Sequence, residues 1–241
     1  NLGGAFKTEG ILKYSSDVQQ KRQVIRDVRV PHQGGLEYKV SMDKDSINIE
    51  ELKVENGPFK FKASGSLKEI FSKDPFVNID MKTDAFQLNK SIDYLPLKIF
   101  SEEYHDVIHK TFKNGSVKIN SLKFDGTVNQ LREIAKPENQ KKIKGEMEMG
   151  KVDWQSPLPP LKKVTGTFKV DKGNSSFIIH KARYEKQPLT NLQGTIENFT
   201  TRPVANLSLE NKVDMAQFHS TLKKAFKGHT IHKAISIYSD F

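Results

Sequence analysis

The chain contains no cysteine in 241 residues, which excludes a disulfide framework, thiolate metal sites and a cysteine nucleophile. Apolar residues are also scarce at 36%, against the roughly 45–50% of a compact globule. A sheet covered on one face only accounts for that deficit. Disorder does not, because 15 phenylalanines, 6 tyrosines and long stretches of two-residue alternation require order. No stretch approaches the roughly 18 to 20 apolar residues of a membrane-spanning helix. The start, Asn1-Leu2-Gly3-Gly4, lacks the basic-then-apolar order of a signal peptide. A strand-like run, Ala234–Tyr238, reaches Phe241 without a turn, so the chain is expected to be an excised segment of something longer.

Catalytic patterns are missing as well. There is no Gly-x-Ser-x-Gly elbow, no His-Glu-x-x-His and no phosphate-cradling glycine loop. His105 and His109 stand four apart on a proposed helix, and His229 and His232 in a polar connection. Neither pair is accompanied by a third ligand, so both read as surface or packing histidines. Asp80 with Asp84, and Glu146 with Glu148, alternate with apolar residues and read as solvent-facing charges rather than an acid–base pair. Trp154 reads as the anchor of a strand end. The chain is expected to be non-enzymatic and to need no cofactor.

A degraded repeat is present. Gly65-Ser66-Leu67 is followed by Pro75-x-x-Asn78-Ile79-x-Met81, and Gly194-Thr195-Ile196 by Pro203-x-x-Asn206-Leu207-x-Leu209. A third copy is expected to begin at Gly126-Thr127-Val128 and to run on to Ile143, Gly145, Met147 and Met149. Each copy reads as strand, turn, strand, and repetition of such units extends a sheet.

The alternation predicts the other strands. Ala5 to Leu12 and Val24 to Val30 suggest two strands around a turn at Ser15-Ser16-Asp17, with a loop over Pro31–Gly35. Leu36–Met42, Ile47–Val54 and Phe59–Leu67 follow, and Asn56-Gly57 between the last two signals a hairpin. Ser116–Val128 shifts phase between Ile119 and Leu122, which predicts a bulge near Ser121. Ile143–Trp154, Val164–Val170, Phe177–Arg183 and Leu189–Ile196 complete the set. Helical spacing predicts one short helix from Ser101 to Phe112, stopped at Asn114-Gly115, and another over Met215–Phe226. The stiff run Ser156-Pro157-Leu158-Pro159-Pro160-Leu161 reads as a connection inside one sheet, with a domain boundary as the alternative. The expected architecture is all-β with minor helices: an elongated, curled antiparallel sheet in a single domain, 1–241, with a possible sub-boundary at 155–161.

The formal charge is +10, and its lysines fall between apolar residues, as in Phe59-Lys60-Phe61-Lys62 and Val117-Lys118-Ile119. Period two sends the two kinds to opposite faces. The lysine face reads as a solvated outer surface that discourages edge pairing, or as an attraction for anionic lipid head groups or acidic polysaccharide. No nucleic-acid motif is present, so nucleic acid is not an expected partner. The other face would carry Phe59, Phe61, Ile79, Met81, Val117, Ile119, Ile143, Met147, Phe168, Phe177, Ile179, Ile196, Leu207 and Leu209. If the sheet closes, these are core. If it only curls, they line a trough that acyl chains would fill.

These residues resemble a family. Leu161-Lys162-Lys163-Val164-Thr165-Gly166-Thr167-Phe168, then Phe177-Ile178-Ile179, Leu192-Gln193-Gly194-Thr195-Ile196 and Pro203 to Leu209 are similar to AsmA-like proteins of the diderm bacterial envelope, the relatives of TamB and YhdP. Val213-Asp214-Met215-x-x-Phe218 fits the same pattern, and Asp84-Ala85-Phe86-x-Leu88 is a weaker echo. The resemblance covers about residues 50–220. It implies a long curled sheet with an apolar groove, in a periplasmic region of a protein anchored to the inner membrane by parts outside this segment. It also implies phospholipid or another acyl lipid as the partner, moved towards the outer membrane. The alternative is a structural scaffold that pairs its strands with other envelope proteins.

Overall fold

A computed structural model describes residues 6–15, 24–25, 28–29, 33–91, 94, 110, 112–134, 136–155, 160–184, 187–197 and 204–209. The strands are β1 (Phe6–Ser15), β2 (Val24–Ile25), β3 (Val28–Arg29), β4 (Gln33–Met42), β5 (Ser46–Asn56), β6 (Phe59–Lys68), β7 (Phe76–Thr83), β8 (Phe86–Gln87), β9 (Ser116–Thr127), β10 (Ile143–Trp154), β11 (Leu161–Asp171), β12 (Asn174–Tyr184), β13 (Gln187–Glu197) and β14 (Val204–Leu209). Short helices α1 (Leu88–Ser91), α2 (Val128–Arg132) and α3 (Pro137–Gln140) punctuate them. One antiparallel sheet runs in the order β1-β4-β5-β6-β7-β9-β10-β11-β12-β13-β14, with β8 paired to β9. It is not closed into a barrel. The strands on either side of the proline run, β10 and β11, pair directly with each other.

Local sequence sets the turns. Asn56 pairs with Phe59, leaving Gly57-Pro58 as a two-residue loop with Gly57 at φ 61°. Glycine at the first central position matches the strand twist, and proline fixes the second. Lys172 and Gly173, at φ 51° and 81°, join β11 to β12 with the two positive values of a type I′ turn.

The phase shift seen at Ser121 is a bulge. Gly145 faces Leu122 while Met147 faces Ile119, so β9 carries one residue more than β10 there. The Ile119 N–H freed near this point donates to Thr83 Oγ1 at 2.9 Å, which satisfies a group that would otherwise be costly to bury. Register also shifts on β10 between Met149 and Val152, where Lys151 has φ 58°, and on β11 between Lys162 and Thr165, where Lys163 has φ 53°. Bulges on neighbouring strands increase local twist and curl the sheet.

The repeat holds for two of its three expected copies. Gly65 pairs with Ile79 and Ser66 with Asn78; Gly194 pairs with Leu207 and Thr195 with Asn206. The register is the same in both. In the copy expected at Gly126 the chain stays in β9 through Thr127, opposite Phe76, and then turns into α2: Thr127 caps that helix, accepting from the Gln130 N–H at 3.3 Å while Gln130 Oε1 accepts from the Thr127 N–H at 3.0 Å. A capping box outcompetes the strand pattern at that point. The hairpin with the repeat's geometry is instead Gly166-Thr167-Phe168 against Ile179-Ile178-Phe177. A Cβ at Gly65 would run into the Asn78 carbonyl oxygen, and one at Gly166 into the Ile178 carbonyl oxygen. Both glycines are required by close strand approach.

The amino-terminal expectation is corrected. β1 extends to Ser15 and pairs with β4, from Phe6 opposite Met42 to Ser15 opposite Gln33. The Val24–Val30 stretch supplies only the two-residue pair β2–β3, and Gln33–Gly35 is strand, not loop. Ten backbone pairings with β4 outweigh the local hairpin. The helices expected at Ser101–Phe112 and Met215–Phe226 lie outside the described residues, apart from Lys110 and Phe112.

Candidate functional site: an uncharged face between two covered ends

Residues opposite one another on paired strands share a face, so the register can be followed across the sheet. One row runs Tyr38, Leu52, Ala63, Met81, Leu122, Gly145, Val170, Ser175, Ile196. A second runs Val40, Ile49, Gly65, Ile79, Phe124, Ile143. A third runs Ile119, Met147, Phe168, Phe177, Gly194, Leu207. The row beyond it, Val117, Met149, Gly166, Ile179, Leu192, Leu209, is likewise apolar. No position in these four rows carries a charge.

All fourteen apolar residues singled out from the sequence fall on this face. Their surroundings differ. Phe59, Phe177 and Ile179 are buried in a cluster with Phe86, Leu88, Met149, Val152, Trp154, Leu161, Val164, Ala182 and Tyr184. Phe61, Val117, Phe168 and Ile196 pack at its margin. Phe86 meets Phe59 edge-on with ring centroids 5.2 Å apart, and Phe112 packs on Trp154 at 5.6 Å. Trp154 is therefore the strand-end anchor expected of it. This cluster is closed core, formed where the chain between β7 and β9 folds back through β8 and α1.

A smaller cluster closes the opposite strand ends. Val77, Phe124 and Ile134 are buried there, with Ile79, Ile143, Val128 and Leu131 packed against them. α2 is held in place by Asp74, whose Oδ1 accepts from the Asn129 N–H at 2.9 Å, and by Pro75, whose carbonyl accepts from the Val128 N–H at 2.9 Å. Hydrogen bonds from the Thr127 hydroxyl and the Asn129 N–H hold the Asp74 carboxyl below its ordinary pKa.

Between the two clusters lie Met81, Ile119 and Met147, which belong to neither and are half-buried, as are Ala63 and Leu122 beside them. Together they form a half-buried apolar strip across the middle strands. Leu207 and Leu209 enter by backbone register alone.

The opposite face carries the charges, and several of them are paired with carboxylates. Lys60 meets Glu55 at 2.8 Å, Lys123 meets Asp80 at 3.0 Å, Lys169 meets Glu146 at 3.0 Å and Lys144 meets Asp171 at 3.5 Å. Lys53 sits between Glu51 and Glu37, each at 3.2 Å, and these carboxylates raise its pKa, Glu51 most. Asp80 and Glu146 thus sit in ion pairs on the outer face. An open depression of about 530 Å³ is lined largely from this polar face, by Thr167, Lys169, Ser176, Ile178, Gln193, Thr195, Asn206 and Ser208, with Phe177 and Gly194 of the apolar rows also at its wall.

Among the described residues no His, Cys, Asp or Glu group is arranged to hold a metal, and His105, His109, His229 and His232 lie outside them. No described helix is long and apolar enough to cross a membrane.

A family model described as YhdP protein matches residues 27–236. No curated protein and no solved structure gives a significant match.

Proposed function

The chain belongs to the YhdP protein family, a family of bacterial envelope proteins related to TamB and the AsmA-like proteins, and from that premise we propose that it is a lipid-holding section of such a protein. Acyl chains of phospholipid lie along the uncharged rows, and head groups stay at the rim in water. The section is non-catalytic and stands in the periplasm, with anchoring to the inner membrane supplied by other parts of the protein.

The observation that carries this reading is the half-buried floor of Met81, Ile119 and Met147 between two covered ends. A continuous apolar strip left to water is unfavourable, whereas each methylene laid on it contributes about 0.8 kcal/mol. The trough has no charged side chain for a head group to grip, so affinity comes from chain contact along its length. On the outer face Lys60, Lys123 and Lys169 are engaged by carboxylates, whereas Lys62 lies opposite both Lys53 and Lys82.

The test is extraction of the purified protein with organic solvent followed by mass spectrometry, together with titration of a fluorescent fatty acyl probe. Co-purifying phospholipid and saturable uptake are expected. Absence of both overturns the reading and leaves a scaffold that pairs its strand edges with partner proteins.

A further inference from the structure

The chain has five methionines and no cysteine, so thioethers are its only sulfur. All four described methionines occupy the apolar face. Met42 pairs with Ile47, Met81 with Ala63 and Leu122, Met147 with Ile119 and Phe168, and Met149 with Val117 and Gly166. Their access to solvent is graded. Met42 is 38% exposed, Met81 and Met147 are half-buried on the trough floor, and Met149 is 6% exposed inside the closed cluster. Met215 lies outside the described residues.

We propose that Met81 and Met147 form an oxidation site on the trough floor, at which conversion to the sulfoxide switches off acyl-chain binding. The functional half of this proposal rests on the lipid reading above; the oxidation itself does not. A two-electron oxidant such as hypochlorous acid reacts at the thioether. The sulfur lone pair takes the oxygen, an S–O bond forms, the O–Cl bond breaks, and chloride and a proton leave. The product is a polar, hydrogen-bond-accepting group where an unbranched apolar side chain stood.

On this face the change is severe. A thioether is flexible and polarizable and adapts to irregular apolar partners. The side chains paired with Met81 and Met147 across the strands, Ala63, Leu122, Ile119 and Phe168, offer no hydrogen-bond donor to a sulfoxide beneath an acyl chain. Covering that unpaired oxygen costs enough to lower affinity by about tenfold per site. Reduction by methionine sulfoxide reductases of both epimer specificities restores the thioether.

The experiment treats the purified protein with increasing hypochlorous acid and reads three quantities: peptide-resolved sulfoxide content, fluorescent acyl-probe affinity, and the thermal unfolding midpoint. Met42 should oxidise first, Met81 and Met147 next and Met149 last. Probe affinity should fall about tenfold or more in step with Met81 and Met147 while the midpoint stays within a few degrees, and should return after reductase treatment. The double variant Met81→Leu with Met147→Leu, referred to its own affinity before treatment, should lose less than twofold. Untreated wild-type protein that takes up no probe overturns the lipid reading. Uptake that persists after Met81 and Met147 are fully oxidised, or an affinity loss that follows Met149 and unfolding, overturns this proposal.

Discussion

The two halves of the apolar face are made of the same residue types and do different things. Ile179 and Ile119 are both isoleucines on inward positions of long strands, yet Ile179 is 1% exposed and Ile119 is half-buried outside either cluster. The difference comes from what lies over them. The chain between β7 and β9 brings Phe86, Leu88 and Phe112 onto one end of the face, and α2 with Ile134 covers the other. The floor between receives no such cover from the described residues. An identical apolar pattern is thus closed core in one place and, among the described residues, half-buried in another.

The comparison can be broken most forcefully in the covered half. Ile179→Asp should abolish the cooperative unfolding transition, because an unpaired buried carboxylate costs several kcal/mol, a large part of the stability of an ordinary domain. Ile119→Asp should leave a folded protein with an unfolding midpoint within several degrees of wild type, and should abolish probe uptake. If both variants unfold, the floor is core too. Circular dichroism melts and probe titration on the two proteins separate these outcomes.

Gly166→Val comes next. Its side chain would meet the Ile178 carbonyl, so β11 and β12 must move apart at a cost of about 1–3 kcal/mol, read as a lower denaturant midpoint. The same change at Gly65 should behave alike if the repeat is structural. Thr127→Ala, which removes one half of the α2 capping box, should cost about 1 kcal/mol and loosen the cover at that end, measured by hydrogen exchange at Val77 and Phe124.

Acid should act on the same end. The Asp74 carboxyl is held below its ordinary value of 3.8 by the Thr127 hydroxyl and Asn129 N–H, so its contribution is complete above that value and is lost as pH falls through the lowered one. Asp74→Asn should therefore flatten the acid limb of the stability curve and leave the neutral-pH shape of the profile unchanged. The smallest effect is expected on the outer face. Removing Lys169, paired with Glu146 at 3.0 Å with both side chains exposed, should change stability by about 0.5 kcal/mol or less.

Much of the sheet was legible because period two leaves strong marks. Ile143–Trp154 has the bounds read from alternation, and the Ile119-to-Leu122 phase shift marked a bulge that the register contains. Two of three repeat copies were legible from the glycine and the Pro-x-x-Asn that they share, and at Gly65 close strand approach leaves no room for a side chain. The third was misplaced for a physical reason: Thr127 and Gln130 form a capping box, a local signal that the strand reading passed over, while Gly166-Thr167-Phe168 carried the repeat without the proline and asparagine that made the others visible. The amino-terminal pairing was missed because β1 meets β4 across an intervening stretch, and alternation reports a strand without naming its partner.

The shared face of the fourteen apolar residues was legible too, since period two and the register put them on one side of the sheet. Which of them are open was not. That depends on contacts made by Phe86, Leu88 and Phe112, whose sequence positions give no hint of what they cover. Met81, Ile119 and Met147 are distinguished from Phe59, Phe177 and Ile179 only by long-range packing.

The most direct test places a photoreactive benzophenone side chain at Ile119, Val152 or Lys118, one at a time, and irradiates each protein in cells before analysis of adducts by mass spectrometry. Ile119 is half-buried on the apolar face, Val152 is fully buried at the covered end, and Lys118 is exposed on the outer face. A phospholipid adduct at position 119, with none at 118 or 152, is the predicted result. Adducts at 118 equal to those at 119, or none at 119, would contradict it.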